Sequence, residues 1–133
     1  MDEEIRRILL QTRRIALVGA SARPERPSYG VMRYLLARGY DVTPVNPGLA
    51  GQDILGRRVV ATLEEAAPLD MVDLFRNSAA VAEPVRDAIR LGAKTIWMQL
   101  GVINEDAAAQ ARAAGLGVVM DRCPAIEIPR LGV

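Results

Sequence analysis

Short apolar segments alternate with amphipathic segments along the chain. Ile15–Gly19 is a continuous apolar run that ends in glycine, which is typical of a strand buried on both faces. The stretch Leu49–Val60 is the least regular, and one further short strand is predicted there at Arg58–Val60. Five main strands are predicted in all: Ile15–Gly19, Asp41–Val45, Met71–Phe75, Thr95–Met98 and Val118–Met120.

Helices are predicted in the segments between these strands. Gly39 marks the end of one helix, and the turn Asn46-Pro47-Gly48 closes the second strand. Thr62 with Glu65 three residues later forms a capping-box pattern, and Asn104 is a second capping residue. The predicted helices are Asp2–Thr12, Tyr29–Ala37, a short one after Thr62, Ala79–Leu91, and one from Asn104 to Ala114.

The alternation of strands and helices indicates the fold class. Fully apolar strands joined by helices predict a parallel sheet that is covered on both faces. Right-handed crossovers then give an α/β, three-layer, doubly wound Rossmann-like domain with a mainly parallel five-stranded sheet. We expect the strand order 3-2-1-4-5, and an unrelated flavodoxin-like order is the alternative. Because the chain has 133 residues and no internal repeat or linker, residues 1–133 are predicted to form a single domain.

Charge and hydropathy argue against several classes of partner. The 17 basic and 16 acidic residues leave a formal charge of +1, which gives no electrostatic basis for binding nucleic acid or a membrane surface. No apolar run approaches the length of a membrane span, and the acidic segment Met1-Asp2-Glu3-Glu4 lacks the apolar stretch of a secretory signal. We therefore expect a cytoplasmic protein that binds neither nucleic acid nor a membrane.

The absence of histidine and the presence of a single cysteine exclude several kinds of catalytic and metal site. The chain has no histidine, so Ser-His and Cys-His nucleophile pairs and imidazole metal ligands are excluded. Cys123 is the single cysteine, which excludes an internal disulfide and a multi-cysteine metal site, and we expect its thiol to be packed. Asp70 and Asp73 flank a strand and form no evident acid–base pair with Glu64 or Glu65. We therefore predict no catalytic residues, no metal site and no catalytic activity of the protein's own.

A ligand site is expected at the carboxyl ends of the strands. In doubly wound sheets, ligands bind at this edge, where the strand order changes direction. The small residues of the turn Gly19-Ala20-Ser21 allow a phosphate to approach backbone N–H groups and the positive end of the next helix. The alternative is a tight turn with no ligand. Four segments reach the edge: Gly19-Ala20-Ser21, Asn46-Pro47, Phe75-Arg76-Asn77-Ser78 and Gln99-Leu100-Gly101.

These segments lack the dinucleotide signature. The first turn continues as Gly19-Ala20-Ser21-Ala22-Arg23-Pro24, which does not match the pattern Gly-x-Gly-x-x-Gly. An NAD-binding domain has Asp or Glu after the second strand to bind the ribose hydroxyls, whereas this chain has Asn46 and Pro47. The pattern therefore disfavours NAD. Three loop arginines at the same edge have guanidinium groups suited to phosphate: Arg23, Arg26 and Arg76.

In combination, these segments resemble a known family. The sequence is similar to the small CoA-binding domain proteins, which are single-domain relatives of the N-terminal CoA-binding part of the succinyl-CoA synthetase α subunit. The resemblance extends from about Ile15 to Glu127. It rests on four motifs in the same order: Val18-Gly19-Ala20-Ser21, Pro44-Val45-Asn46-Pro47, Trp97-Met98-Gln99-Leu100-Gly101-Val102 and Asp121-Arg122-Cys123. It implies a Rossmann-like fold that binds coenzyme A by its adenosine and phosphate groups.

The resemblance also implies site residues. The turn Gly19-Ala20-Ser21 matches the phosphate turn, and Asn46 with Pro47 matches the loop on the adenosine side. Many relatives carry a Val-Pro-Pro-like run where this chain has Phe75-Arg76-Asn77-Ser78, so the resemblance does not define the pocket there. Together with Arg23, the expected cofactor-binding residues are Gly19, Ala20, Ser21, Asn46, Pro47, Phe75, Arg76, Gln99 and Gly101.

The function that this resemblance implies is binding without catalysis. The synthetase uses a phosphorylated histidine in a second domain, and this chain has no histidine, so the ligase reaction does not carry over. We expect a protein that senses, carries or presents CoA or an acyl-CoA, with a homo-oligomer or a protein partner as open possibilities. Two alternatives stay open: an NAD(P)-binding oxidoreductase or redox sensor on the same fold, and an accessory subunit of an acyl-CoA synthetase.

Overall fold

Strands and helices alternate along the chain, as the sequence predicts. The computed structural model describes residues 1–133. In chain order the elements are α1 (Asp2–Gln11), β1 (Arg14–Val18), α2 (Pro27–Ala37), β2 (Asp41–Val45), β3 (Asp53–Ile54), β4 (Arg57–Arg58), α3 (Leu63–Ala66), β5 (Met71–Leu74), α4 (Ala82–Arg90), β6 (Thr95–Met98), α5 (Glu105–Ala113), β7 (Gly117–Val119) and α6 (Pro124–Leu131), with short 3-10 helices at Pro47–Leu49 and Ser78–Ala80. None of the helices has the length and apolar character needed to cross a membrane.

The central sheet has five strands, all parallel, in the order β2-β1-β5-β6-β7. Strands β3 and β4 form a separate two-stranded antiparallel hairpin. Helices cover both faces of the sheet: α1, α2 and α6 pack on one face, and α3, α4 and α5 pack on the other. The predicted α/β Rossmann-like fold with a mainly parallel five-stranded sheet is confirmed.

The expected order of the strands is wrong. Counting the five main strands, the observed order is 2-1-3-4-5, which is the flavodoxin-like alternative. The outer side of β2 is occupied by the segment that ends at Val60, which forms a single parallel bridge to Val45. Val60 donates to the Pro44 carbonyl and accepts from the Asn46 N–H, both at 3.0 Å. This short segment takes the place expected for the third main strand, which pairs with β1 instead.

Two apolar layers enclose the sheet. On β1, Ile15 and Leu17 face the layer that contains α1, α2 and α6, while Ala16 and Val18 face the layer that contains α3, α4 and α5. Because both faces are covered, every residue of β5 and β6 is buried. This burial explains why most residues of these strands are apolar.

Helix α6 is absent from the sequence prediction, because it contains Pro129, a residue that normally ends helices. Ion pairs hold it in place. The buried carboxylate of Glu127 lies 3.1 Å from the Arg122 guanidinium and 2.7 Å from that of Arg130. Arg130 also contacts Asp2 at 2.9 Å. These contacts fasten α6 to the start of α1 and to the loop after β7.

Candidate functional site

The turn after β1 touches the segment after β5. Gly19 has a φ of +88°, in the left-handed region that favours glycine. A Cβ atom at this position would lie 2.3 Å from the carbonyl oxygen of Phe75, which is far inside van der Waals contact. Glycine is therefore required here for two independent reasons. The contact closes the space between β1 and β5, where the strand order changes direction.

The turns after β1 and β2 are joined by Asn46. Its Nδ2 donates to the Ala20 carbonyl at 2.8 Å, and its Oδ1 accepts from the Gly48 N–H at 2.9 Å. The N–H groups of Gly19 and Ala20 both point to the Val45 carbonyl, at 3.0 and 3.4 Å. The two turns thus form one rigid unit, and both polar atoms of the Asn46 side chain are committed to it.

A cavity of about 510 Å³ lies between these turns and the start of α2. This volume is within the usual range for small-molecule sites. It contains two arginines and no carboxylate, and the neighbouring acid Glu25 is outside the lining. The lining residues are Gly19, Ala20, Ser21, Arg23, Arg26, Pro27, Ser28, Asn46, Gly48, Leu49 and Phe75.

Two residues that line this cavity have backbone donors without a protein partner. The N–H groups of Ser21 and Ser28 make no hydrogen bond within the protein. Ser28 is in the first turn of α2, which has neither a side-chain cap nor an acidic residue, whereas each of the other five helices has an acidic first turn. The positive end of the helix dipole is therefore uncompensated. The cavity is suited to an anion.

Pro47 and Arg76 line a different, smaller cavity. It has a volume of about 240 Å³ and lies between β2, α3 and α4, where Glu83 and Asp87 also line it. The Arg76 side chain passes close to Gly19, because its Cδ would be 3.3 Å from a Cβ atom at that glycine. Arg76 therefore lies beside the larger cavity but is outside its lining.

Gln99 and Gly101 line neither cavity. Gln99 is buried, and its side-chain amide lies 2.8 Å from one oxygen of the Asp73 carboxyl and 3.3 Å from the other. Burial raises the pKa of the Asp73 carboxyl well above its ordinary value. The Gly101 N–H donates to the Asp121 carboxylate at 2.7 Å. Both residues shape the loop after β6.

Ser28 and Leu49 are cavity residues that the sequence analysis missed. Helix α2 begins at Pro27, two residues before the predicted start, with proline in its first turn. Proline is favoured at this position, so Pro27 is the signal that would have placed Ser28 at the helix start. Cys123 is buried in the apolar layer and lines neither cavity, as expected for a packed thiol.

Comparisons with known proteins show similarity over most of the chain. A family model described as CoA binding domain matches residues 13–129. The uncharacterized protein YneT of Bacillus subtilis is 36% identical over 121 residues, which cover 90% of this chain and 88% of that protein. A hypothetical protein from Pyrococcus horikoshii OT3 superimposes with a TM-score of 0.93 at 43% identity, covering 100% of this chain and 93% of that chain. An acetyl-coenzyme A synthetase from Ca. Korarchaeum cryptofilum shares the fold, with a TM-score of 0.71 at 24% identity over 90% of this chain and 27% of that chain.

Proposed function

The chain belongs to the CoA-binding domain family, and on this basis we propose that the larger cavity binds the nucleotide end of coenzyme A or of an acyl-CoA. The observation that carries the proposal is the set of donors at this cavity. Unpartnered N–H groups, an uncapped helix N-terminus and two arginines meet in a space that has no carboxylate. Such a set of donors binds phosphate groups.

Each part of the cavity has a distinct role in this proposal. The N–H groups of Ser21 and Ser28 receive one phosphate group at the start of α2. Arg23 and Arg26 are exposed and form forked hydrogen bonds to further phosphate oxygens. Asn46 acts indirectly, because its side chain holds the two turns together.

The charge of the cavity favours CoA over NAD. The adenosine of CoA carries a 3′-phosphate in addition to its pyrophosphate, whereas NAD has free ribose hydroxyls that acidic residues bind. No acidic residue lines the cavity. The additional phosphate therefore gains cationic contacts, and the ribose of NAD has no carboxylate to accept its hydrogen bonds.

The proposed role is to sense, carry or present the coenzyme without converting it. No pair of side chains at the cavity has the geometry of a general acid and base, because its titratable residues are the two arginines. A cytoplasmic location, expected from the sequence, fits this role.

Titration calorimetry with CoA, dephospho-CoA and NAD tests the proposal. We expect CoA to bind most tightly, dephospho-CoA more weakly, and NAD weakest. Arg23→Gln and Arg26→Gln should each weaken CoA binding by about tenfold, since each removes a charge-assisted hydrogen bond. Arg112→Gln is the matched control, because Arg112 is exposed on α5 and lines no cavity. Equal affinity for NAD and CoA, or equal losses in all three variants, would contradict the proposal.

A further inference from the structure

Asp73 is a carboxyl group in the centre of the sheet. It belongs to β5, is fully buried, and lies between Leu17 of β1 and Trp97 of β6 in the strand register. It has no ion-pair partner within the salt-bridge distance, and its hydrogen-bond partner is the Gln99 amide, at 2.8 and 3.3 Å. Gln99 is itself 5% exposed. The two side chains therefore form an isolated polar pair within an apolar layer.

The pair lies beneath a loop that is fastened from two sides. We call residues Gln99–Asn104 the β6 loop. On one side, the Gly101 N–H donates to Asp121 at 2.7 Å, and Asp121 has a φ of +58°, in the left-handed region. On the other side, the Ile103 N–H donates to the Ser78 hydroxyl at 2.9 Å, and Asn104 donates to the Ser78 carbonyl at 2.9 Å. Gln99, the first residue of the loop, contacts Asp73 in the apolar layer beneath it.

The β6 loop is also connected to the larger cavity. Ser78 ends the segment that starts with Phe75, and Phe75 is one wall of that cavity. Since adjacent strands are about 4.8 Å apart, the β6 loop lies about 10 Å along the sheet edge from the turn after β1. A continuous set of contacts therefore runs from the cavity wall at Phe75, through Ser78, to the β6 loop. The Asp73–Gln99 pair supports the β6 loop at the far end of these contacts.

A carboxyl group at this position is costly for folding. An apolar layer disfavours a polar or charged side chain unless it has a hydrogen-bond partner, which Gln99 supplies here. Residues that lower stability in this way are expected where they support a site. We propose that Asp73 is a positioning residue: its carboxyl group holds Gln99, and Gln99 holds the β6 loop in the place that coenzyme binding requires. This inference rests on the function proposed above.

Amide hydrogen exchange and CoA titration of four variants test the proposal. Asp73→Ala and Gln99→Ala each remove one side chain of the pair, and Asp73→Asn keeps a hydrogen-bonding partner for Gln99. Met71→Ala is the matched control, because Met71 is fully buried on the same strand and the same face but lies two residues from the pair.

The two alanine variants should speed exchange at the N–H groups of Gly101 and Ile103 by about tenfold and weaken CoA binding by about tenfold. Asp73→Asn should restore both quantities to within about threefold of wild type. Met71→Ala should lower global stability but leave loop exchange, relative to the core, and CoA affinity unchanged. If Asp73→Ala does not fold, Gln99→Ala reports on the same loop.

The outcomes separate the two proposals. If wild type binds no CoA but the alanine variants loosen the β6 loop, the coenzyme function is wrong while the structural role of the pair stands. If wild type binds CoA and the alanine variants bind it as tightly as wild type does, Asp73 is not a positioning residue. Equal losses of affinity in Asp73→Ala and Met71→Ala would also overturn the proposal, because the effect would then be general destabilisation.

Discussion

Replacing Asp73 with asparagine should stabilise the protein, and the gain should grow as the pH rises. Burial raises the folded-state pKa of Asp73 well above the ordinary value of 3.8. At a pH between the ordinary pKa and the raised folded-state pKa, Asp73 keeps its proton in the folded chain but has released it in the unfolded chain. The free energy of unfolding of wild type therefore falls as the pH rises through this window. The asparagine side chain has no such proton, so its variant avoids that loss.

The size of the effect follows from proton linkage. One proton difference changes the free energy of unfolding by about 1.4 kcal/mol for each pH unit. Below the ordinary pKa, the difference between wild type and Asp73→Asn should be constant, because aspartate is protonated in both states. Above it, the advantage of the variant should increase by about 1.4 kcal/mol per pH unit until the folded-state pKa is reached.

Urea denaturation of both proteins at a series of pH values on both sides of the ordinary pKa of 3.8 measures this difference, with the midpoint and the slope fitted separately. Asp53→Asn is a suitable control, because it removes the same formal charge from an exposed position on β3 that makes no ion pair, and so reports the effect of net charge. If the difference between wild type and Asp73→Asn stays constant with pH, Asp73 is not a buried acid that retains its proton, and the reasoning fails.

Three further predictions concern the site and its surroundings. Gly19→Ala should cost about 3 kcal/mol or more by combining overpacking with a left-handed backbone, whereas Gly39→Ala has a similar φ but open space around it and should cost about 1–2 kcal/mol in thermal unfolding. Asn46→Asp should weaken CoA binding more than NAD binding in calorimetry, because the variant loses the donor to the Ala20 carbonyl, worth about 1–3 kcal/mol, and its new carboxylate repels the additional phosphate of CoA; an equal or larger loss for NAD would contradict this. Cys123→Ser should leave CoA affinity within about threefold, and a complete loss in a folded variant would show a functional thiol.

Much of the fold could be predicted because burial on both faces leaves a direct trace in the sequence. Strands β1 and β6 consist largely of apolar residues, so they are recognisable without any tertiary information. The strand order is different, because it depends on which side of β1 each crossover returns to. That choice leaves no local pattern. Helix α6 was missed for the opposite reason: a local rule about Pro129 was overridden by packing and by the Glu127 ion pairs.

The candidate site was predictable as an edge of the sheet but not as a set of contacts. Gly19 and Asn46 were identified because each follows a strand, and both line the larger cavity. Gln99 follows a strand as well, yet its strand is two positions from β1, and its side chain turns inward to Asp73. The position of a residue in the sequence shows that it lies at the carboxyl edge of the sheet, but not how far along that edge it lies from β1. Asp73 falls within the predicted strand Met71–Phe75, but only the register shows that it lies between Leu17 and Trp97.

An amide NMR titration with CoA tests the central claim most directly, because it reports binding and location together. We predict that the N–H resonances of Gly19, Ser21, Ser28 and Gly48 shift and saturate, since these residues line the larger cavity. Resonances at the opposite edge of the sheet, around Lys94, where a separate cavity lies, should stay in place. No shifts at millimolar CoA, or shifts confined to the opposite edge, would contradict the account.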